Sequence, residues 1–242
     1  PGYSVAVGAE AGMTKQGNMS SALGYRAGYQ NQGQLSVALG HSAGRETQGY
    51  NCVAVGVYSG ENFQGTNCVS IGKSAARNNQ QQFSIAIGLA AATTNQGSRC
   101  IAIGEYAGLN YQKNWSIAIG GRAARYNQQS GSIAIGPYAG DNYQNTYSVS
   151  LGYESGYRNQ NSFSVAIGRS SGKTFQSDDC ISIGQSAGEN YQSSRSVAIG
   201  KDSGTNNQKI NSVAIGPGAG RHNQGKTNGN GATGSAVAIG YK

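Results

Sequence analysis

A five-residue string, typically Ser-Val-Ala-Ile-Gly, returns along this chain with its glycines sixteen residues apart, from Gly8, Gly24 and Gly40 to Gly200 and Gly216. Self-similarity at a fixed short period restricts the chain to repeat architectures, and sixteen residues are too few for the helix pairs of the helical solenoids. Each string alternates small and β-branched residues, the period-two pattern of a strand. The reading is therefore an all-β fold, a parallel β-roll or β-solenoid of about 15 coils with a 16-residue repeat. At the usual interstrand spacing such a stack is on the order of 70 Å long. It counts as one repeat domain over residues 1–242. The last glycine, Gly240, follows after twenty-four residues, so an eight-residue loop insertion is expected within about 225–234, where the chain reads GKTNGNGATG.

Comparing the repeats with one another shows which slots are constrained. The third and fourth residues after the motif glycine are small, as in Ala27-Gly28, Ser59-Gly60 and Ala123-Ala124. The eighth is glutamine in all fourteen complete repeats: Gln16, Gln32, Gln48, Gln64, Gln80, Gln96, Gln112, Gln128, Gln144, Gln160, Gln176, Gln192, Gln208 and Gln224. No other side chain larger than alanine is invariant. Stacked identical amides form hydrogen-bonded ladders, so these glutamines are expected to be structural. The slot opening the motif is serine, or cysteine at Cys52, Cys68, Cys100 and Cys180. These are read as small buried thiols. Cys52 and Cys68 stand on adjacent coils, where a disulfide is an option that nothing requires.

Composition fits a roll better than a thick-cored domain: 39 glycines, 12% charged residues and 37% hydrophobic residues in 242. Glycine does not recur every third residue, which excludes collagen, and no apolar run reaches the roughly 18 residues of a membrane-spanning helix. The chain opens on Pro1 and carries no signal-peptide pattern, so a fragment or processed form is expected.

Two arrangements of the strand remain open. Serine, alanine and glycine point to one face and the two aliphatics to the other. If the small residues fill the narrow interior, two aliphatic columns lie outside, far more apolar surface than a soluble monomer tolerates, and self-association follows. If the aliphatics point inward, the roll is a monomer with a thin core. The narrowness of a sixteen-residue coil favours the first.

The SVAIG, SIAIG and SVALG strings followed by a small-residue pair resemble the head repeats of trimeric autotransporter adhesins, the YadA-like family, over nearly the whole chain. Similar repeats also look at home in viral and phage fibres. The resemblance implies a left-handed parallel β-roll that trimerises, has no enzymatic activity and binds host matrix or cell surfaces. The chain departs from the family in its strict period of sixteen, in its invariant glutamine, and in lacking a neck, stalk or anchor among its 242 residues.

Near-identical coils offer no set of unlike residues converging on a pocket, so no catalytic residue, metal site or cofactor is expected. His41 and His222 stand far apart, and Asp178-Asp179 reads as a solvated turn. The net charge of +8 is spread over variable slots, which argues against a nucleic-acid stripe. Tyrosines cluster just after the motif glycine (Tyr25, Tyr58, Tyr106, Tyr138, Tyr153) or beside the glutamine (Tyr111, Tyr143, Tyr191), positions suited to surface or glycan contact. The functional expectation is an extracellular or virion-surface fibre or adhesin segment, a homotrimer able to join end to end, that attaches multivalently to host glycan or matrix protein. A structural filament or virus-fibre shaft is the alternative, and an ice-binding solenoid the second, weakened by the absence of a Thr-x-Thr ladder.

Overall fold

Two kinds of three-residue strand make up the computed structural model, which describes residues 2–225 and 235–241, and they alternate from Val69–Ile71 to Val213–Ile215. The expected insertion falls on residues outside that description, apart from Gly225. Parallel strands stack at sixteen-residue spacing into a β-solenoid, and no described residue is helical. The chain divides into two compact units, Pro1–Arg122 and Ala123–Lys242.

In the first unit eight aliphatic strands, from Val5–Val7 to Ile117–Ile119, pair in strict register, Val37 with Val53, Ala38 with Ala54 and Leu39 with Val55. A second sheet holds the glutamine strands Asn78–Gln80, Thr94–Gln96 and Asn110–Gln112. Before Asn78 that sheet thins to single parallel bridges, Gln32 to Gln48 and Gln48 to Gln64. In the second unit seven aliphatic strands run from Ile133–Ile135 to Val237–Ile239, and six glutamine strands from Tyr126–Gln128 to Asn206–Gln208.

The small residues are inside. Ala54, Ala86, Ala102, Ala134, Ala166 and Ala198, each at the centre of an aliphatic strand, have no accessible surface, and neither do Ala27, Ala43, Ala75 and Ala76 of the small-residue pair. The flanking valines and isoleucines project from the opposite face, half-buried or exposed. Width decides this. Two strands joined by tight turns approach closely enough for methyl groups and hydroxyls to fill the space between them, and a pair of isoleucines does not fit.

The turns rest on left-handed backbone at four recurring slots, the second, fourth, seventh and eleventh residue after the motif glycine. Many are not glycine: Tyr58 (φ 59°), Ala76 (φ 45°), Asn79 (φ 64°) and Trp115 (φ 63°). Each costs about 1–2 kcal/mol relative to glycine. Asparagine tolerates the conformation best, which accounts for Asn79, Asn95, Asn127, Asn159 and Asn207 in the seventh slot. The motif glycine has a stricter reason. Its φ is near +125°, and at Gly88 an added Cβ would lie 2.7 Å from the Gly104 carbonyl oxygen on the next coil.

Candidate functional site: the glutamine ladder and the two outer faces

From Gln32 to Gln224 the invariant glutamines lie buried between the two sheets. Along the series a side-chain amide donates to the carboxamide oxygen of the glutamine one coil on: Gln32 to Gln48 at 3.2 Å, Gln48 to Gln64 at 3.1 Å and Gln80 to Gln96 at 3.0 Å. In the second unit the series runs from Gln128 to Gln144 at 3.0 Å through Gln160 to Gln176 at 3.0 Å and Gln208 to Gln224 at 3.3 Å. The same nitrogen donates across the interior to the first residue of the aliphatic strand, as from Gln96 to the Ile85 carbonyl at 2.9 Å. Glutamine is the side chain long enough to reach both partners with a group that donates twice and accepts. At two positions where serine replaces the strand alanine its hydroxyl joins in: Ser150 and Ser182 donate to Gln160 and Gln192, each at 2.6 Å, whereas Ser70 donates to the Ala75 carbonyl at 3.3 Å. Gln16 stands aside from the series, donating to the Val5 carbonyl at 2.8 Å, and Gln32 Oε1 has no partner among the described residues.

The opening serine closes the coil. Ser36 Oγ donates to the Gly49 carbonyl at 2.8 Å and Ser84 Oγ to Gly97 at 2.7 Å, and Cys52 and Cys100 place their thiols against Gly65 at 2.7 Å and Lys113 at 2.9 Å. All four thiols are free and buried. Burial pushes Cys100 and Cys180 up, and the hydrogen bond to Cys52, with burial, raises Cys68. Held neutral, Cys68, Cys100 and Cys180 are poor nucleophiles and act as small packing groups, whereas the hydrogen bond with Cys68 lowers Cys52.

Ion pairs join neighbouring coils. Glu61, its side chain 3% exposed, sits between Arg45 at 2.7 Å and Arg77 at 2.6 Å. Asp141, fully buried, is met by Arg125 at 3.0 Å and by the Asn142 amide at 2.6 Å.

The outer surface has two faces. Along the first unit, one face carries Val37, Val53, Val69, Ile85, Ile101 and Ile117 in one column, with Leu39, Val55, Ile71, Ile87, Ile103 and Ile119 beside it. The second unit repeats this from Ile133 and Ile135 to Val213 and Ile215. The other face belongs to the glutamine strands and their turns. The tyrosines singled out in the sequence divide between them. Tyr25, Tyr58, Tyr106, Tyr138 and Tyr153 stand on the turn that follows the aliphatic strand, where His41 lies between Tyr25 and Tyr58 with ring centroids 5.2 Å from each. Tyr111, Tyr143 and Tyr191 project outward from the glutamine strands, and Tyr191 stacks on Phe175 at 5.3 Å. The eight therefore form no single patch. A third aromatic track, unmarked in the sequence reading, lies on the turn before the aliphatic strand: Phe83 and Trp115 enclose Arg99, 5.3 and 4.5 Å from the ring centroids, and Tyr147 stacks on Phe163 at 5.8 Å. The signal for it was present, since these residues share the eleventh slot after the motif glycine.

No protein-family model matches the chain, and no curated protein or solved structure matches it.

Proposed function

We propose that this chain is a non-enzymatic fibre segment, a homotrimer at a cell or virion surface, that attaches multivalently to host glycan or matrix. The observation that carries the reading is the pair of outward-facing aliphatic columns on each unit. Residues such as Leu39, Ile71, Leu151 and Ile215 are exposed, while the interior behind them holds alanine, serine and glutamine. These side chains are already more than half covered, so completing the burial of each is worth about 0.5–1 kcal/mol, and a column repeats that gain at every coil. A second and third copy of the same chain offer the same columns at the same spacing, which makes self-association the natural cover for them. The repeats then present each polar surface group many times along one body, and weak contacts add to avidity.

The experiment compares the chain with an Ile101→Lys, Ile103→Lys, Ile133→Lys variant, whose outward lysines keep the interior intact, on cell surfaces and a glycan panel. The expected result is binding by the unmodified chain and an apparent affinity about a hundredfold lower for the variant. A chain that binds no surface at all refutes the attachment reading and leaves a structural shaft. Equal binding by the two refutes the assembly on which the avidity rests.

A further inference from the structure

Four hollows of about 320 to 500 Å³ follow one another along the turn after the glutamine in the first unit. They adjoin. The first pair shares Lys15, Gly17 and Gln34, the next shares Thr47, Gly49 and Tyr50, and the last shares Gln81, so together they form one groove running from Met13 to Asn114. Its floor runs along Gly17, Gly33, Gly49, Gly65 and Gly97, the residues after the glutamine, where coils stack so closely that a Cβ on Gly33 would run into the Gly49 carbonyl oxygen. In the first unit Gln81 and Lys113 interrupt the glycines, and the second unit carries Gln129, Asn145, Asn161, Ser177, Ser193 and Lys209 in that slot before Gly225.

The walls, more than the floor, define what fits. One wall is the seventh slot (Asn31, Thr47, Phe63, Asn95, Tyr111) and the other the tenth (Gln34, Tyr50, Thr66, Asn114). Carboxamides and hydroxyls that both donate and accept alternate with three aromatic rings, and Tyr50, Phe63 and Tyr111 are all exposed. Lys15 in the seventh slot and Lys113 in the floor slot are the charged residues of the groove, and no Asp or Glu lines any of the four hollows. Polar groups with both hydrogen-bonding senses, aromatic faces and little charge are the complement of a pyranose ring, which has hydroxyls around its edge and C–H bonds on its faces. The coil rise of about 4.8 Å is close to the length of one sugar unit in an extended chain.

We infer that this groove binds a linear polysaccharide, laid along the first unit with sugar rings against Tyr50, Phe63 and Tyr111. The inference deepens the attachment part of the proposed function by giving it a site and a ligand class. It also explains why tyrosines of the same slot in the second unit are not equivalent: Tyr191 lies between Ser177 and Ser193, with no glycine beneath it.

The test is calorimetric titration of the 242-residue chain with cellohexaose, chitohexaose and hyaluronan hexasaccharide as probes. At least one is expected to bind. Tyr50→Ala and Tyr111→Ala each weaken it about fivefold, and Tyr191→Ala leaves it unchanged. Loss of the hyaluronan signal at high salt, with the neutral probes silent, assigns an acidic chain to Lys15 and Lys113; a salt-independent signal from a neutral probe assigns an uncharged one. Both side chains are exposed, Tyr50 on a turn and Tyr111 on the outer face of the Asn110–Gln112 strand, so far-UV circular dichroism of the variants is expected to match the parent. Three silent titrations overturn the inference, as does binding that survives both wall substitutions or falls equally with Tyr191→Ala. The groove lies on the glutamine side of the coil, away from the aliphatic columns. Silent titrations with a multi-chain mass intact therefore sink the groove alone, and a single-chain mass with binding intact sinks the assembly alone.

Discussion

Replacing Gln96 with leucine removes an interior amide while keeping nearly the same volume. Gln96 is 1% exposed and makes three side-chain hydrogen bonds: it donates to the Ile85 carbonyl at 2.9 Å and to Gln112 Oε1 at 3.1 Å, and accepts from Gln80 at 3.0 Å. In Gln96→Leu the Ile85 carbonyl and Gln112 Oε1 each lose a donor. Gln80 loses less, because its nitrogen still reaches the Val69 and Ser84 carbonyls, both at 3.1 Å. A buried partner left without its bond costs about 1–3 kcal/mol, so two and a fraction of a third give about 3–7 kcal/mol. Burying a leucine returns about 1–2 kcal/mol, leaving a net loss of about 2–5 kcal/mol. The assay is urea unfolding followed by circular dichroism, with hydrogen exchange over residues 80–112 to localise the effect, since repeat arrays do not unfold in one step. The double variant Gln80→Leu, Gln96→Leu sharpens the test. The bond between the two is lost only once, so the double cost is expected to fall about 1 kcal/mol or more short of the sum of the singles. A Gln96→Leu chain within about 0.5 kcal/mol of the parent, or strict additivity of the pair, would refute the ladder as a source of stability.

Other substitutions address single features. Gly88→Ala, at φ +127° with the Gly104 carbonyl in the way, is expected to cost about 3 kcal/mol or more or to abolish soluble expression, read by unfolding midpoint and yield. Arg125→Ala leaves the Asp141 carboxylate without its arginine at a fully buried site and is expected to cost about 3–5 kcal/mol in urea unfolding, with Asp141→Asn, Arg125→Ala recovering much of it. Cys100 and Cys180 resist ionisation when folded, whereas in the unfolded chain they ionise near their ordinary value of 9.0. Their contribution is present below that pH and falls as pH rises above it. The thermal midpoint is therefore expected to drop between pH 8 and 10 more steeply than in a Cys100→Ser, Cys180→Ser chain; parallel pH profiles would contradict the burial of the thiols.

Much of this architecture is written in the repeat itself. The period, the strand pattern, the small pair and the glutamine slot follow from comparing the repeats, because each position meets its own copy one coil away and tolerates only what stacks. The interior face was less legible, since alternation in Ile101-Ala102-Ile103 reads equally well either way. Distance between sheets decides it, and that depends on turns whose left-handed residues include Tyr58, Arg99 and Trp115, which carry no sequence signal for such backbone. The hints were glycine in the fourth slot and asparagine in the seventh and eleventh. The groove escaped for a related reason: it follows Gly33, Gly49 and Gly65, where the coils close up on one another, and is walled by Tyr50 and Phe63, which fall in different slots and come together only when coils stack. The ion pairs of Glu61 with Arg45 and Arg77 were in plain sight at a separation of sixteen residues, yet nothing in the sequence distinguishes a side chain 3% exposed from one in solvent.

The solution mass of the unmodified chain, by light scattering over a dilution series in reducing buffer, bears most directly on the claim that large aliphatics lie outside to join copies of this chain. One chain weighs 24.9 kDa. The account predicts a mass about three times that, steady on dilution, as an interface built from repeated aliphatic burial requires. A mass of 24.9 kDa at every concentration would contradict it, showing that the chain keeps its aliphatic columns in water without a second copy to cover them.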